Sequence, residues 1–593
     1  MRRARLQEAV VHLNPRPGEL IPTLLVLAIA SCLTLPFIGI KPFYSRGEGR
    51  EAIVADSILR EGKWVLPSGY GSSVPSKPPF THWLMALSSL PGRGVTEFTA
   101  RLPSALSAVL FATFFYLFLR RRVAGKEALL TTLLLLLSLE WSRAAVTCRV
   151  DMVLSAFLAG VFLLIFRWEE RELRGIPFVA ILLLSGAVLA KGPVALILSL
   201  GVLGVHLLLL DRGVAAIFRA TFILSVPALL LAALWYLAAY QAGGERFFAM
   251  VWSENVSRFT SSMDDSPHEH TVFYLFGTLI LGLLPWSLFF LEELIRAVRS
   301  ASCVSRKAIR SIIGSVSSAE SCRKYKIMDR LVRFSWIVVL IVFLFYCIPS
   351  SKRSVYLLPL YPCGCFLIAR YLLTLAQKRP QQILRMARGY TTVLLSVLLI
   401  FFMLISGLIS TDWIQLFGSS ENFRWYVTAI SEMPHSLTWV FGAFAAGLFV
   451  IWVSLFRNRD GTEAGVRCVY GVVLSQLLLL IMVHGLIAPY VAWKLSPKQF
   501  ASELLSALQP DARVFSFEDR LFDLDFYLEH RLFEMRCNDP LSQGDFVIVK
   551  TEDAPRFMGC IEGRYVPSVV RQSAHGIDKP GRFIQLYGIL AKL

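Results

Sequence analysis

Residues 44–83 decide how the chain is organised, and they read YSRGEGREAIVADSILREGKWVLPSGYGSSVPSKPPFTHW. This stretch is polar and aromatic, and it lies between two long apolar segments. Its charged residues include Arg46, Glu48, Arg50, Glu51, Asp56 and Lys77. So much charge between two apolar segments predicts a functional site in this loop.

The composition on either side of this loop is that of a membrane protein. The chain has 593 residues, of which 55% are hydrophobic and 17% charged, and its mean hydropathy is +0.58. These values exclude a soluble globular protein. A helix needs about 20 apolar residues to cross a bilayer. Runs of this kind predict thirteen spans, at 20–40, 97–119, 127–145, 151–167, 176–190, 193–210, 217–240, 271–294, 334–349, 356–376, 389–410, 438–456 and 467–492.

The distribution of positive charge predicts the orientation of these spans. The net charge is +18, and the cations cluster in alternate loops, which is the positive-inside pattern. We therefore expect a multi-pass protein of the plasma membrane, the inner membrane in a bacterium, with its N-terminus in the cytoplasm. Residues 44–83 and the C-terminal domain then lie outside. The basic loop 296–333 is expected to contact anionic membrane lipids, and no nucleic-acid partner is expected.

Two domains are predicted. Residues 1–492 form an all-α transmembrane domain, whose outer loop 41–96 carries two interfacial helices at 48–61 and 81–90. Residues 493–593 form a small soluble α/β domain, with a helix at 498–508 and strands at 513–517, 545–550 and 582–587. Because this domain has no nucleophile motif, Gly-rich loop or metal pattern, we interpret it as a lid or docking domain. Its Cys537 and Cys560 are candidates for a disulfide.

The unusual polar residues all fall on the predicted outer face. They are Glu48, Arg50, Lys77, Asp151, Lys191, Glu254, Arg258 and Lys352. A carboxylate can act as a base, and fixed cations stabilise a phosphate leaving group. This combination suits the transfer of a group from a phosphate-linked lipid donor. His268 and His270 beside carboxylates make a divalent metal at His268 an option, and no other cofactor is indicated.

Other interpretations stay open at this point. In one alternative, Glu48 has no catalytic role and is a salt-bridge partner of Arg46 or Arg50. In the same way, Lys77 and Lys352 extend towards lipid headgroups instead of binding the donor. A transporter or flippase for lipid-linked sugars also has many spans and charges, but it places them near the bilayer midplane and often in repeated halves. A catalytically inactive docking protein is a third class.

Motifs along the chain carry a family resemblance. In order they are Gly-Glu-Gly-Arg-Glu-Ala at 47–52, Gly-Lys-Trp-Val-Leu-Pro at 62–67, Lys-Pro-Pro at 77–79, Arg-Leu-Pro-Ser-Ala at 101–105, Arg-Val-Asp-Met at 149–152, Lys-Gly-Pro-Val at 191–194, Glu-Asn-Val-Ser-Arg-Phe at 254–259, Leu-Leu-Pro-Trp-Ser at 283–287 and Ser-Lys-Arg-Ser-Val-Tyr-Leu-Leu-Pro-Leu-Tyr-Pro at 351–362. From about residue 18 to 376 the chain resembles the polyprenyl-phosphate-sugar glycosyltransferases of the GT-C superfamily. That group includes protein O-mannosyltransferases and the lipid A aminoarabinose transferase.

The resemblance implies an inverting transfer of one sugar from undecaprenyl or dolichyl phosphate at the outer face. The acceptor is a hydroxyl or phosphate group on lipid A, a protein or a glycan. By position, Glu48 is the expected base and Asp151 a second catalytic acidic residue. The donor phosphate is expected to bind a set of basic and tyrosine side chains, namely Arg50, Lys77, Lys191, Arg258, Lys352 and Tyr356.

The chain departs from the family pattern at two positions. Gly47 stands where the family often has Asp, which leaves Glu48 to act as base. Ser76 stands where the aminoarabinose transferases have Glu before Lys-Pro. This second departure weakens the case for a metal at that place and for aminoarabinose as the sugar.

Overall fold

A computed structural model gives the fold. It describes residues 18–70, 73–75, 77–254, 270–303, 319–412, 420–457, 462–509, 511–530, 532–577 and 580–592. The helices of the apolar part are α1 (Leu20–Thr34), α2 (Arg46–Glu61), α3 (Phe80–Ser89), α4 (Glu97–Arg120), α5 (Gly125–Leu136), α6 (Leu139–Ala145), α7 (Val150–Glu170), α8 (Phe178–Lys191), α9 (Val194–Leu208), α10 (Val214–Trp252), α11 (Val272–Gly282), α12 (Ser287–Cys303), α13 (Ala319–Cys347), α14 (Tyr361–Lys378), α15 (Pro380–Ile405), α16 (Glu421–Ser431), α17 (Thr438–Arg457), α18 (Thr462–Met482) and α19 (Ala488–Leu495). A 3₁₀ segment, Ser354–Leu360, leads into α14.

These helices fall on the spans expected from the sequence. Within the described ranges, nine helices are long and apolar enough to cross a membrane, and eleven if the bent pairs α5–α6 and α11–α12 each count as one. The shorter apolar helices α8 and α9 occupy the two remaining predicted spans. The chain is thus a multi-pass membrane protein, and the predicted all-α polytopic fold class is confirmed.

One of the two bent pairs breaks at a proline. The axes of α11 and α12 differ by 117°, and Pro285 lies in the break between them. Proline has no N–H to donate within a helix, so the chain changes direction there. The break between α5 and α6 is milder, at 67°.

The C-terminal part forms a five-stranded sheet with three helices. The helices are α20 (Lys498–Ala507), α21 (Phe522–Tyr527) and α22 (Ala554–Ile561), and the strands are β1 (Val514–Phe517), β2 (Leu532–Met535), β3 (Phe546–Lys550), β4 (Tyr565–Gln572) and β5 (Ile584–Lys592). The strand order is β2-β1-β3-β5-β4. Strands β2, β1 and β3 are parallel, whereas β5 runs antiparallel to β3 and β4. Cys537 and Cys560 form the disulfide that the sequence allowed.

Helix α2 is held between the bundle and the C-terminal sheet domain. It ends at Gly62, whose φ of 67° is the left-handed conformation that glycine adopts easily at a helix end. Its helical spacing predicts burial of one face only. The structure instead buries every residue of 51–58. The reason is that α3 packs on one side of α2 while α21 covers the other, and Ile53 joins the apolar core of the sheet domain.

Candidate active site

Glu48 lies in the first turn of α2 and is only 1% exposed. Its Oε1 accepts a bond from Arg101 Nε at 2.8 Å, and its Oε2 accepts one from Arg101 Nη2 at 3.1 Å. The Cys148 N–H also donates to Oε1, at 2.9 Å. Burial raises the pKa of Glu48, but Arg101, Lys41 and the Cys148 N–H outweigh it, so the pKa falls to about 2. Glu48 is therefore an ionised carboxylate with both oxygens engaged.

Arg101 is the group to which Glu48 is fixed. Its side chain is fully buried within α4. Besides Glu48, it donates to the backbone carbonyl oxygens of Ile38, Lys41 and Pro42. One guanidinium thus joins α4, α2 and the segment that connects α1 to α2. The sequence offers Arg101 only as part of a motif, since an arginine near the start of a span is usually read as a boundary charge.

Glu51 is the centre of a second group of charges. Its carboxylate lies 2.5 Å from Lys77 Nζ, 2.8 Å from Arg50 Nη2 and 2.8 Å from His82 Nε2. Burial raises the pKa of Glu51, yet Lys77, Arg50 and His82 together hold it well below its usual value. Sequence reasoning did not single out Glu51 or His82. The signal was available, because Glu51 follows Glu48 by three residues and so lies on a neighbouring position of the helix.

Lys77 is partly buried beside Glu51. Its side chain is 16% exposed. Burial lowers the pKa of Lys77 to about 8, although Glu51 opposes this shift. His82 is buried, and its Nδ1 has no hydrogen-bond partner among the described residues. Of the predicted phosphate ligands, Arg50 and Lys77 are thus brought together, but both also contact a carboxylate.

Asp151, Lys191 and Tyr356 form a third group. Asp151 lies in the first turn of α7 and pairs with Lys191, the last residue of α8. The Lys191 ammonium lies 4.2 Å from the centroid of the Tyr356 ring, a cation–π distance. Tyr356 in turn stacks on Tyr346 at 5.0 Å. Three of the predicted site residues, far apart in the chain, are therefore in contact.

Arg149 occupies the space beside Gly47. A Cβ added to Gly47 would lie 2.5 Å from Arg149 Nη2, so the glycine leaves room for this guanidinium. Where the family pattern has an acidic side chain, this chain presents a cation. Among the described residues, Arg149 makes no ion pair with a carboxylate.

Arg353 is a further cation, near Arg149 and Asp151. Burial lowers its pKa, and Arg149 and Arg50 lower it further, while Tyr356 and Asp151 act in the opposite direction. Its Nε is buried and has no partner in the part of the chain that the structure describes. The neighbouring Lys352, which the sequence suggested instead, donates to the carbonyl oxygens of Pro349 at 2.5 Å and Ser350 at 3.5 Å. Lys352 is thus engaged with its own loop.

Lys41 completes the cations around Glu48. It is 6% exposed. Burial lowers its pKa to about 8; Glu48 opposes this effect, and Arg101, Arg143 and Arg149 add to it. No carboxylate pairs with Lys41 among the described residues.

The other two predicted residues, Arg258 and His268, lie outside the described residues. Within the described ranges, no three His, Cys, Asp or Glu side chains are arranged to hold a metal ion. The options of Arg258 as a phosphate ligand and of a divalent metal at His268 stay predictions.

The groups around Glu48, Glu51 and Asp151 form one cationic cluster at one end of the bundle. Each of the three carboxylates is paired with a cation. Arg149, Arg353 and Lys41 add positive charge that these carboxylates do not neutralise. Partly buried cations of this kind favour a dianionic phosphate and stabilise the charge that develops when a phosphate leaves.

The chain is similar to several known proteins. Residues 76–240 match a family described as dolichyl-phosphate-mannose-protein mannosyltransferase. An uncharacterized protein of Aquifex aeolicus (strain VF5) is 27% identical over 352 residues, which cover 59% of this chain and 63% of that protein. The undecaprenyl phosphate-alpha-4-amino-4-deoxy-L-arabinose arabinosyl transferase of Shewanella sediminis (strain HAW-EB3) is 25% identical over 346 residues, 58% of each chain. The chain thus matches about three fifths of the length of these relatives.

The fold also matches a solved structure. The crystal structure of ArnT from Cupriavidus metallidurans bound to undecaprenyl phosphate superimposes with a TM-score of 0.67 at 19% identity, covering 95% of this chain and 97% of that one. The likeness extends over the bundle and the sheet domain. The resemblance that the motifs indicate, to the GT-C glycosyltransferases that use polyprenyl-phosphate sugars, is confirmed.

Proposed function

We propose that this chain is a membrane glycosyltransferase that moves a sugar from a polyprenyl phosphate to an acceptor at the outer face of the membrane. The observation that carries the proposal is the cationic cluster, in which Arg149, Arg353 and Lys41 stand beside the ion pairs of Glu48, Glu51 and Asp151. The names of the relatives, which include an undecaprenyl phosphate aminoarabinose arabinosyl transferase, support the class of donor.

The location proposed for this reaction is the outer face of the inner membrane of a bacterium. The clustering of positive charge in alternate loops supports a cytoplasmic N-terminus, and with it an outer position for α2 and the sheet domain. A donor carried on a lipid then reaches the cluster from the bilayer. It arrives already activated, so the reaction needs no nucleotide.

The chemical step is a displacement at the anomeric carbon of the sugar. An acceptor oxygen forms a bond to this carbon while the bond from the carbon to the phosphate oxygen breaks, which inverts the configuration. The electron pair of the broken bond stays on the polyprenyl phosphate. In our proposal Arg149 and Arg353 stabilise the negative charge of the departing phosphate, together with Arg50, Lys77 and Lys191. The ring of Tyr356 makes a cation–π contact with Lys191. Asp151 orients Lys191.

The acceptor decides whether the site needs a base. A hydroxyl must lose its proton, and Glu48 is the proposed base for that case. Because Glu48 is buried and Arg101, Lys41 and the Cys148 N–H lower its pKa to about 2, it is a weak base in this arrangement. A phosphate oxygen arrives ionised and requires no base. The geometry therefore favours a phosphate-bearing acceptor, on a lipid such as lipid A, over a hydroxyl of a protein or a glycan.

A transfer assay tests this proposal. Purified protein in proteoliposomes is incubated with undecaprenyl phosphate that carries a radiolabelled sugar, and with total cell lipid or total cell protein. We expect labelled acceptor from the wild type and roughly a hundredfold less from Lys191→Met, because one preorganised cation is lost from the leaving-group site. Lys378→Met is the matched control, since this exposed lysine ends α14 away from the cluster.

The same assay separates the competing classes. A flippase would move the labelled donor between leaflets without labelling any acceptor, and a docking protein would do neither. Equal transfer by Lys191→Met and wild type would remove Lys191 from the mechanism.

A further inference from the structure

Helix α2 carries site residues on both sides of Gly49. Glu48, just before it, binds Arg101. Arg50 and Glu51, just after it, belong to the group around Lys77. A shift of this turn would therefore move both parts of the cationic cluster at once. What holds the turn in place decides the geometry of the site.

The first turn of α2 lacks a cap of its own. Ser45 occupies the N-cap position but its side chain makes no capping hydrogen bond. The Glu48 N–H bonds to the Ser45 carbonyl oxygen at 2.8 Å. The Gly49 N–H instead donates to Asp523 Oδ1 at 2.9 Å, in a buried contact across 474 residues of sequence. A side-chain carboxylate that accepts an N–H at the start of a helix satisfies that donor and interacts favourably with the helix dipole, and here it comes from helix α21 of the sheet domain.

Gly49 makes this close approach possible. A Cβ at position 49 would clash with Asp523 Oδ1 and would lie 2.8 Å from the Asp523 Cα and backbone nitrogen. Because backbone atoms are involved, a rotamer change at Asp523 would not relieve the clash. The glycine and the aspartate thus fit each other.

Further contacts join the C-terminal domain to α2 and to the segment before it. Before α2, the Phe43 N–H donates to the Tyr527 hydroxyl at 2.7 Å, and its carbonyl oxygen accepts from Ser496 Oγ at 2.6 Å. Further along the helix, His530 Nε2 lies 2.8 Å from Asp56 Oδ2. Burial lowers the pKa of His530, but Asp525 and Asp56 raise it to about 9, so this contact is an ion pair at neutral pH.

We infer that the sheet domain contributes to the active site by positioning its residues. Asp523 is the positioning residue: it caps α2 from outside the bundle and so fixes the positions of Glu48 and Glu51. The inference rests on the proposed function for its effect on transfer. Its structural content, the capping of α2, stands independently of that function.

The experiment combines hydrogen exchange with the transfer assay on the full chain. In Asp523→Ala, amide exchange across residues 48–52 is expected to be about fivefold faster, as for a lost helix cap, with unchanged exchange in β3. The transfer rate is expected to fall at least about tenfold, because a small misplacement of reacting groups is costly. Asp523→Asn should restore both readouts to near wild-type values, since the amide oxygen also accepts the Gly49 N–H. Gly49→Ala should resemble Asp523→Ala.

The control is Arg556→Ala, which removes an exposed ion pair to Glu518 in the same domain. It should leave both readouts unchanged. Unaltered exchange at residues 48–52 in Asp523→Ala would overturn the inference, as would equal losses in the Asn and Ala variants. If Asp523→Ala does not fold, Gly49→Ala and Asp523→Asn decide the question. A wild type that transfers no sugar would defeat the proposed function, while the exchange data would still test the cap.

Discussion

Replacing Arg149 and Arg353 together with methionine is expected to weaken the binding of undecaprenyl phosphate by at least about a hundredfold. Each guanidinium is available for a charge-assisted hydrogen bond to phosphate, worth about 1.5–3 kcal/mol. Two such bonds correspond to a hundredfold or more in the dissociation constant. Neither side chain pairs with a carboxylate in the described part of the chain, and the Arg353 Nε has no partner there. Binding can be measured by native mass spectrometry or by titration of the protein in nanodiscs.

The matched control for this pair is Arg171→Met with Arg174→Met. These two exposed arginines follow α7 at the opposite end of the bundle. They should leave the dissociation constant within about twofold, because surface charges contribute little to binding at a distance. Equal affinity in the Arg149/Arg353 variant and the wild type would show that the phosphate binds elsewhere.

Replacing Arg101 with methionine is expected to remove most of the folded protein. The change leaves the buried Glu48 carboxylate without its guanidinium partner and three backbone carbonyl oxygens without a donor. Removing one partner of a buried ion pair lowers the free energy of unfolding by about 3–5 kcal/mol. The yield of monodisperse protein and its thermal unfolding in detergent measure the effect.

Two further variants make the Arg101 result specific. Arg571→Met breaks an ion pair to Glu503 at 3.1 Å in which both side chains are exposed, by 44% and 37%. Its cost should stay below about 1 kcal/mol. The double variant Glu48→Gln with Arg101→Met should regain part of the lost stability, because no buried charge is left alone. An Arg101→Met protein that unfolds at the wild-type temperature would refute this account of the pair.

The positions of the spans could be predicted because they depend on local composition. A run of about 20 apolar residues is long enough to cross a bilayer as a helix, independently of the rest of the chain. The alternation of charged loops likewise predicts which distant residues lie at one end of the bundle, and it predicts that Asp151 and Lys191 share a face. Their ion pair with each other is a matter of helix packing, which composition does not encode.

Contacts between distant segments could not be predicted in this way. Lys352 and Arg353 are adjacent, and only the fold decides that Lys352 turns to its own loop while Arg353 joins the cluster. The amphipathic pattern of α2 predicts one buried face, because the pattern carries no sign of α21. The motif predicts Glu48 as the base, whereas the hydrogen bonds of Glu48 to Arg101 depend on the depth at which α4 presents that side chain.

The central claim is that the cationic cluster beside α2 receives the phosphate of a polyprenyl phosphate. An experimental structure of the protein with bound undecaprenyl phosphate tests it most directly. We predict phosphate density within hydrogen-bonding distance of the Arg149 and Arg353 guanidinium groups, with the polyprenyl tail leading into the bilayer. Phosphate density at the opposite end of the bundle, or with no contact to either arginine, would contradict the account.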